Sequence, residues 1–231
     1  MIVKTFFSRI LLTAVIAMSA NNVFAADNKA ASTKPLEDSK ITAEELYKIS
    51  PDDMVIGDSK AKVTVIEYAS MTCQHCADFH KNTYHELKEK YIDTGKIRFV
   101  FRAFPLDEPA LRASMLAYCS GEERFYKFID VLFTTQSNWS LSKNYKEILA
   151  NIAKLGGMTG EEFDKCMADS AIEKRIMQGK FDASTALSIR STPSFFINGN
   201  LYKGAHGFEY FSKVIDEALG EKPKDAAPVK K

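Results

Sequence analysis

The 231 residues carry 31 Lys and Arg against 30 Asp and Glu, a formal net charge of +1 that gives no electrostatic footprint for nucleic acid or anionic lipid. Hydrophobic residues make up 45% of the chain and aromatic residues 11%, so it can bury one sizeable core, and an intrinsically disordered chain is excluded. No internal repeat is visible.

The first ten residues, MIVKTFFSRI, hold only positive charge, Lys4 and Arg9; LLTAVIAMSA is apolar, and VFA ends at Ala25. A charged start, a short apolar run and a small residue at the cut predict a secretory signal peptide over 1–25, cleaved between Ala25 and Ala26. An uncleaved anchor is the alternative, but the run falls short of the roughly 20 apolar residues that a membrane helix needs. No cysteine lies near the cut, so a lipoprotein anchor is not indicated. Loss of Lys4 and Arg9 leaves a formal charge near minus one. All four cysteines remain, and in an exported chain an even count reads first as disulfides.

Residues 26–50 are expected to form a flexible extension with one short helix, started by a Thr42 cap with Glu45 three residues on. KVTVIEYAS, residues 62–70, is apolar on both alternating faces, as a strand covered on both sides would be. It runs directly into Cys73-Gln74-His75-Cys76. Residues 77–91 then space Phe79, Thr83 and Leu87 for one helical face, and KIRFVFRAF, residues 96–104, is a second strand. Strand, helix, strand predicts a βαβ unit with parallel strands and a right-handed crossover. Helix follows helix over 109–189, separated by Gly and Ser clusters. SFFI and LYKG flank Asn198-Gly199-Asn200, a pair of strands joined by a tight type I′ turn, and FEYFSKVIDEAL closes the order with an amphipathic helix. Residues 221–231 are expected to be a disordered tail.

CQHC at a strand-to-helix junction admits three chemistries. Cys73, at the helix start, faces unpaired backbone N–H groups and the positive end of the helix dipole, which favour a thiolate. His75 can add charge or a donor. Cys76, one turn further in on the side of Phe79, is expected to be buried, its pKa raised by desolvation. This is the pattern of a reactive and a resolving thiol. Zinc would draw on Cys73, Cys76, His80 and His85, but all four lie on one helix, without the change of direction between pairs that such sites use. A structural staple would close too short a loop to stabilise much. Neither a metal nor any other cofactor is called for.

EYASMTCQHC, TPSFFINGN and the helical run between them together resemble the DsbA family of thiol-disulfide oxidoreductases, over roughly residues 50–220. The resemblance implies an α/β thioredoxin fold, residues 51–108 and 190–220, with an inserted α-helical domain over 109–189. It places Gln74 in the active-site loop and a cis Thr192-Pro193 bond opposite Cys73. It implies a periplasmic enzyme, acting on cysteine-containing exported proteins and reoxidised by a DsbB-like membrane oxidase; a monomer is expected. Glu67, six residues before Cys73, is costly inside an apolar strand unless paired. The bland reading gives it Lys62 or Arg102 as partner; the family position makes it a proton carrier for Cys76. His80, His85 and His206 are expected to be ordinary surface or packing residues. Cys119 and Cys166 lie in separate predicted helices. They are either buried free thiols or a bridge, and an oxidising compartment together with the second, non-catalytic pair of some DsbA-like proteins favours the bridge. Thr192 departs from the valine of the family's best-known oxidase pattern and resembles the isomerase branch, which leaves oxidase and isomerase both open. A non-enzymatic exported chaperone or metal-binding module is the further alternative.

Overall fold

The computed structural model describes residues 41–221. The leader over 1–25, most of the extension and nearly all of the C-terminal tail lie outside the described residues.

The first described element, α1 (Ala43–Leu46), starts at the Thr42–Glu45 capping box, each side chain bonded to the other's backbone. A five-stranded sheet follows, in the order β1 (Val55–Gly57), β3 (Ile97–Ala103), β2 (Val63–Ala69), β4 (Ser194–Ile197), β5 (Asn200–Lys203). β2 and β3 are parallel, and every other pairing is antiparallel. The short β1 was not expected: three residues carry no readable periodicity, and its place comes from pairing with the edge of β3. β4 and β5 are joined by Asn198 and Gly199, with φ +47° and +83°, the two left-handed positions that a type I′ turn demands.

β2 is buried on both faces, as its unbroken apolar sequence predicts. Val63, Val65 and Ala69 belong to the larger core, whereas Ile66 and Tyr68 belong to a smaller one with Leu46, Leu187 and Phe196. By alternation Glu67 therefore faces the larger core. That side is covered by the long helix that leaves β2: α2 (Gln74–Phe79), a π-helical turn (His80–Tyr84), α3 (His85–Leu87) and a second π-helical turn (Lys88–Ile92). A plain α-helix was expected here; through both π turns the inward positions Phe79, Thr83, Leu87 and Tyr91 stay four apart and buried.

Between β3 and β4 lie six helices: α4 (Glu108–Cys119), α5 (Glu122–Thr134), α6 (Gln136–Trp139), α7 (Tyr145–Leu155), α8 (Gly160–Met167) and α9 (Ser170–Ala186). Their buried Leu116, Phe125, Leu132 and Phe133 share one hydrophobic cluster with Phe99 and Phe101 of the sheet, so the core is continuous from sheet to helices. The last helix, α10 (Phe208–Leu219), seats Phe211 against Phe79 and Phe195, with ring centroids 5.3 and 4.7 Å away. Phe79 and Phe195 are themselves 4.6 Å apart. Each of these buried rings contributes about 1.5–3 kcal/mol by burial, and together they pin α2 onto β4. Among the described residues no helix is long and apolar enough to cross a membrane.

Candidate active site

Cys73 is the N-cap residue of α2, with extended backbone (φ −76°, ψ 119°), and no side chain satisfies the first N–H groups of the helix. An N-cap oxygen ordinarily accepts from the second and third helical N–H groups; here the sulfur occupies that position, with the N–H groups of His75 and Cys76 at hand. The Cys73 thiol is lowered to about 5. The Cys76 thiol donating to it is the main cause, helped by the Thr192 hydroxyl and those two N–H groups, while partial burial works the other way. Cys76 is fully buried, and its pKa is pushed well above the ordinary thiol value by desolvation first, then by its bond to Cys73 and the charge of Glu67. Both sulfurs are unbridged. One cysteine of the pair is thus a half-exposed thiolate at neutral pH and the other a buried thiol.

The Thr192-Pro193 bond is cis and lies against this sulfur: Cys73 Sγ donates to the Thr192 carbonyl oxygen at 3.3 Å. That bond belongs to the thiol. As a thiolate Sγ can only accept, and the buried Thr192 Oγ1, which has no other partner, is the neighbouring donor. Of the other expected loop residues, Gln74 is exposed and reaches its own helix, Nε2 to Asp78 Oδ1 at 2.9 Å. His75 is exposed as well, and its backbone N–H is among the groups that lower Cys73.

The partner of Glu67 requires a correction. Lys62 is exposed, and Arg102 binds Asp53 through two hydrogen bonds of 2.9 and 2.7 Å and Tyr68 Oη at 2.8 Å. Arg102 sits beside Tyr68 in the sheet, on the face opposite Glu67, so strand alternation separates them. Glu67 instead pairs with His80, Oε2 to Nε2 at 2.8 Å, with both side chains buried. His80 is thus no ordinary packing residue. One turn beyond Cys76 on the inward stripe of the same helix, it was legible as facing the core; its pairing was not. His85 meets Asp130 at 3.1 Å on the surface, and His206 stacks on Tyr210.

Gln136 escaped sequence reasoning altogether. It is buried, and its Nε2 donates to the carbonyl oxygens of Met71 (2.8 Å) and Cys73 (3.0 Å), tying α6 to the active-site loop. No local pattern marks such a residue; a polar side chain amid apolar helices was the sole signal. Thr72 Oγ1 adds a second tie, donating at 2.8 Å to Asp107, the residue that caps α4. Far along that helix Cys119 is bridged to Cys166 of α8, Cα atoms 5.9 Å apart.

A thioredoxin family model matches residues 49–217. A Rickettsia bellii protein named, provisionally, a protein-disulfide oxidoreductase is 40% identical over 76% of this chain and 68% of its own length. A Bacillus anthracis protein named, on the same provisional footing, disulfide bond formation protein D is 27% identical over 80% of this chain and 86% of its own. Among solved structures, that of Wolbachia pipientis alpha-DsbA1 superposes with a TM-score of 0.74 at 37% identity, covering 78% of this chain and 96% of that one. The fold, the unequal cysteines at the end of β2 and these likenesses agree: the chain belongs to the DsbA family of thiol-disulfide oxidoreductases, with a thioredoxin fold carrying inserted helices.

Proposed function

We propose that this protein is an exported, periplasmic oxidant that donates the Cys73–Cys76 disulfide to cysteine-containing proteins as they fold. One observation carries the reading: Cys73 is lowered to about 5 while Cys76 is raised, so the environment stabilises the reduced pair and makes its disulfide a ready donor. A substrate thiolate attacks Cys73 Sγ, and the Cys73–Cys76 bond breaks. A mixed disulfide forms, with Cys76 as the leaving thiolate. A second substrate thiolate then attacks the substrate sulfur of that mixed disulfide, and Cys73 leaves as a stabilised thiolate. Glu67 carries the proton for Cys76, and the Thr192-Pro193 loop offers backbone for strand-like pairing with the bound peptide.

The leader expected over 1–25 supports a periplasmic place. There a DsbB-like membrane oxidase would return Cys73 and Cys76 to the disulfide, and the protein would work as a monomer. A second reading, disulfide isomerase, is favoured by the Thr192 hydroxyl beside Cys73. The reduction potential against glutathione, measured alongside insulin reduction and refolding of a scrambled protein, separates them. A strongly oxidising couple with weak scrambled-protein repair supports the donor; a reducing couple with potent repair supports the isomerase.

A further inference from the structure

We infer that His80 and Glu67 act as one proton-carrying unit beneath Cys76, with His80 the reservoir that re-supplies Glu67; the inference rests on the exchange chemistry proposed above and deepens it. Cys76 and His80 are four residues apart on one helix, and both therefore lie over the face of β2 on which Glu67 sits. The Glu67 carboxylate is near enough for its charge to act on the Cys76 thiol. On its other side it meets His80 Nε2 at 2.8 Å.

The surroundings are dry. The imidazole stacks on Phe133 at 4.3 Å, with an interplanar angle of 19°, and meets the edges of Phe79 and Phe101 at 5.4 and 6.3 Å. Glu67 and His80 are 0% and 1% exposed, so bulk water does not reach the departing sulfur from this side. Glu67 Oε1 and His80 Nδ1 are buried without a hydrogen-bond partner. Two such atoms oppose folding, and a well-packed apolar pair in their place would often be neutral or stabilising. A packing role alone does not call for an acid and an imidazole here, whereas a proton relay uses their direct contact.

The step balances as follows. As the substrate thiolate forms its bond to Cys73 Sγ, the electron pair of the Cys73–Cys76 bond leaves on Cys76. Cys76 takes a proton from Glu67, the imidazolium of His80 passes its proton to Glu67, and the imidazole stays neutral until reoxidation, when Cys76 gives the proton back. In reoxidation the same path runs in reverse. The other titratable groups facing the pair are Cys76 and Tyr84 from its own helix and Asp130 and Tyr126 from α5. Burial first, and Glu67's charge among the other causes, raise both tyrosines, which stay neutral through the working range. Asp130 is engaged by His85.

The test is single-turnover oxidation of dithiothreitol by the full-length mature protein across pH 4–8, in the wild type, His80→Gln, Glu67→Gln and the double variant. Glutamine keeps a donor toward Glu67 but carries no proton in this range. His80→Gln should slow the step about 10-fold or more, while the rate of Cys73 alkylation stays unchanged. The double variant should be no slower than the slower single variant, because the two residues form one path. A proton inventory on the wild type, which needs no variant to fold, should be curved, as two protons in flight require. Equal rates in His80→Gln, effects that multiply in the double variant, a linear inventory, or Cys73 alkylation slowed in parallel would each overturn the inference. A wild type that fails to oxidise the dithiol would instead overturn the donor reading beneath it.

Discussion

Cys73 and Cys76 stand three residues apart at the start of one helix, unbridged, whereas Cys119 and Cys166 come from α4 and α8, 47 residues apart, and are bridged. The first pair is split by its setting: a half-exposed sulfur on helix N–H groups and a fully buried one. The second pair sits among packed helices, Cys166 buried and Cys119 partly so, near the ends of α4 and α8 rather than at the N-cap of a helix. The same side chain is thus a reagent in one place and a crosslink in the other, and backbone position decides which. The long loop of the second pair restrains the unfolded chain strongly; the short loop of the first restrains almost nothing and is free for chemistry.

Substitution at each pair should break the comparison most sharply. Cys73→Ser should abolish thiol-disulfide exchange in a dithiol oxidation assay, whereas Cys119→Ala/Cys166→Ala should keep it. Loss of exchange in the second variant would make that bridge part of the reaction. Stability should respond the other way. Removing the Cys119–Cys166 crosslink should cost about 4 kcal/mol in the chain-entropy account, an upper value, read from denaturant unfolding of oxidised protein. Gln136→Leu tests the tie between the inserted helices and the active-site loop. It strips the Met71 and Cys73 carbonyl groups of a buried donor and should cost about 1–3 kcal/mol, with slower exchange. Unchanged exchange would make Gln136 a packing residue alone.

A pH dependence sharpens the contrast further. The folded Cys73 pKa lies below that of an unfolded thiol, so its thiolate stabilises the reduced protein fully above the unfolded value of roughly 8.5, and that stability is lost as pH falls through about 5. Denaturation of reduced wild type against reduced Cys73→Ser should therefore show a gap that opens between these limits. No such gap should arise from the Cys119–Cys166 pair, which does not titrate while bridged.

Much of this was legible in the sequence because the signals were local. The two-sided apolar run gave β2, its junction with CQHC gave the helix start, and Asn198-Gly199 gave the β4–β5 turn. What was missed depends on contacts between distant segments. β1 exists through its pairing with β3, and Gln136 acts some 60 residues from the loop that it holds. Glu67 announced that it needed a partner without saying which. Alternation could have excluded Arg102, whose neighbour in the sheet is Tyr68; choosing His80 required the path of the helix over β2.

The central claim is that the Cys76 thiol first, with the Thr192 hydroxyl and the N–H groups of the helix start behind it, makes Cys73 alone the reactive thiol, and alkylation of the reduced protein against pH tests it most directly. Peptide mapping should find Cys73 labelled far faster than Cys76, with a rate half-maximal near pH 5. A Cys73 midpoint near the roughly 8.5 of an ordinary thiol, or equal labelling of the two cysteines, would contradict the account.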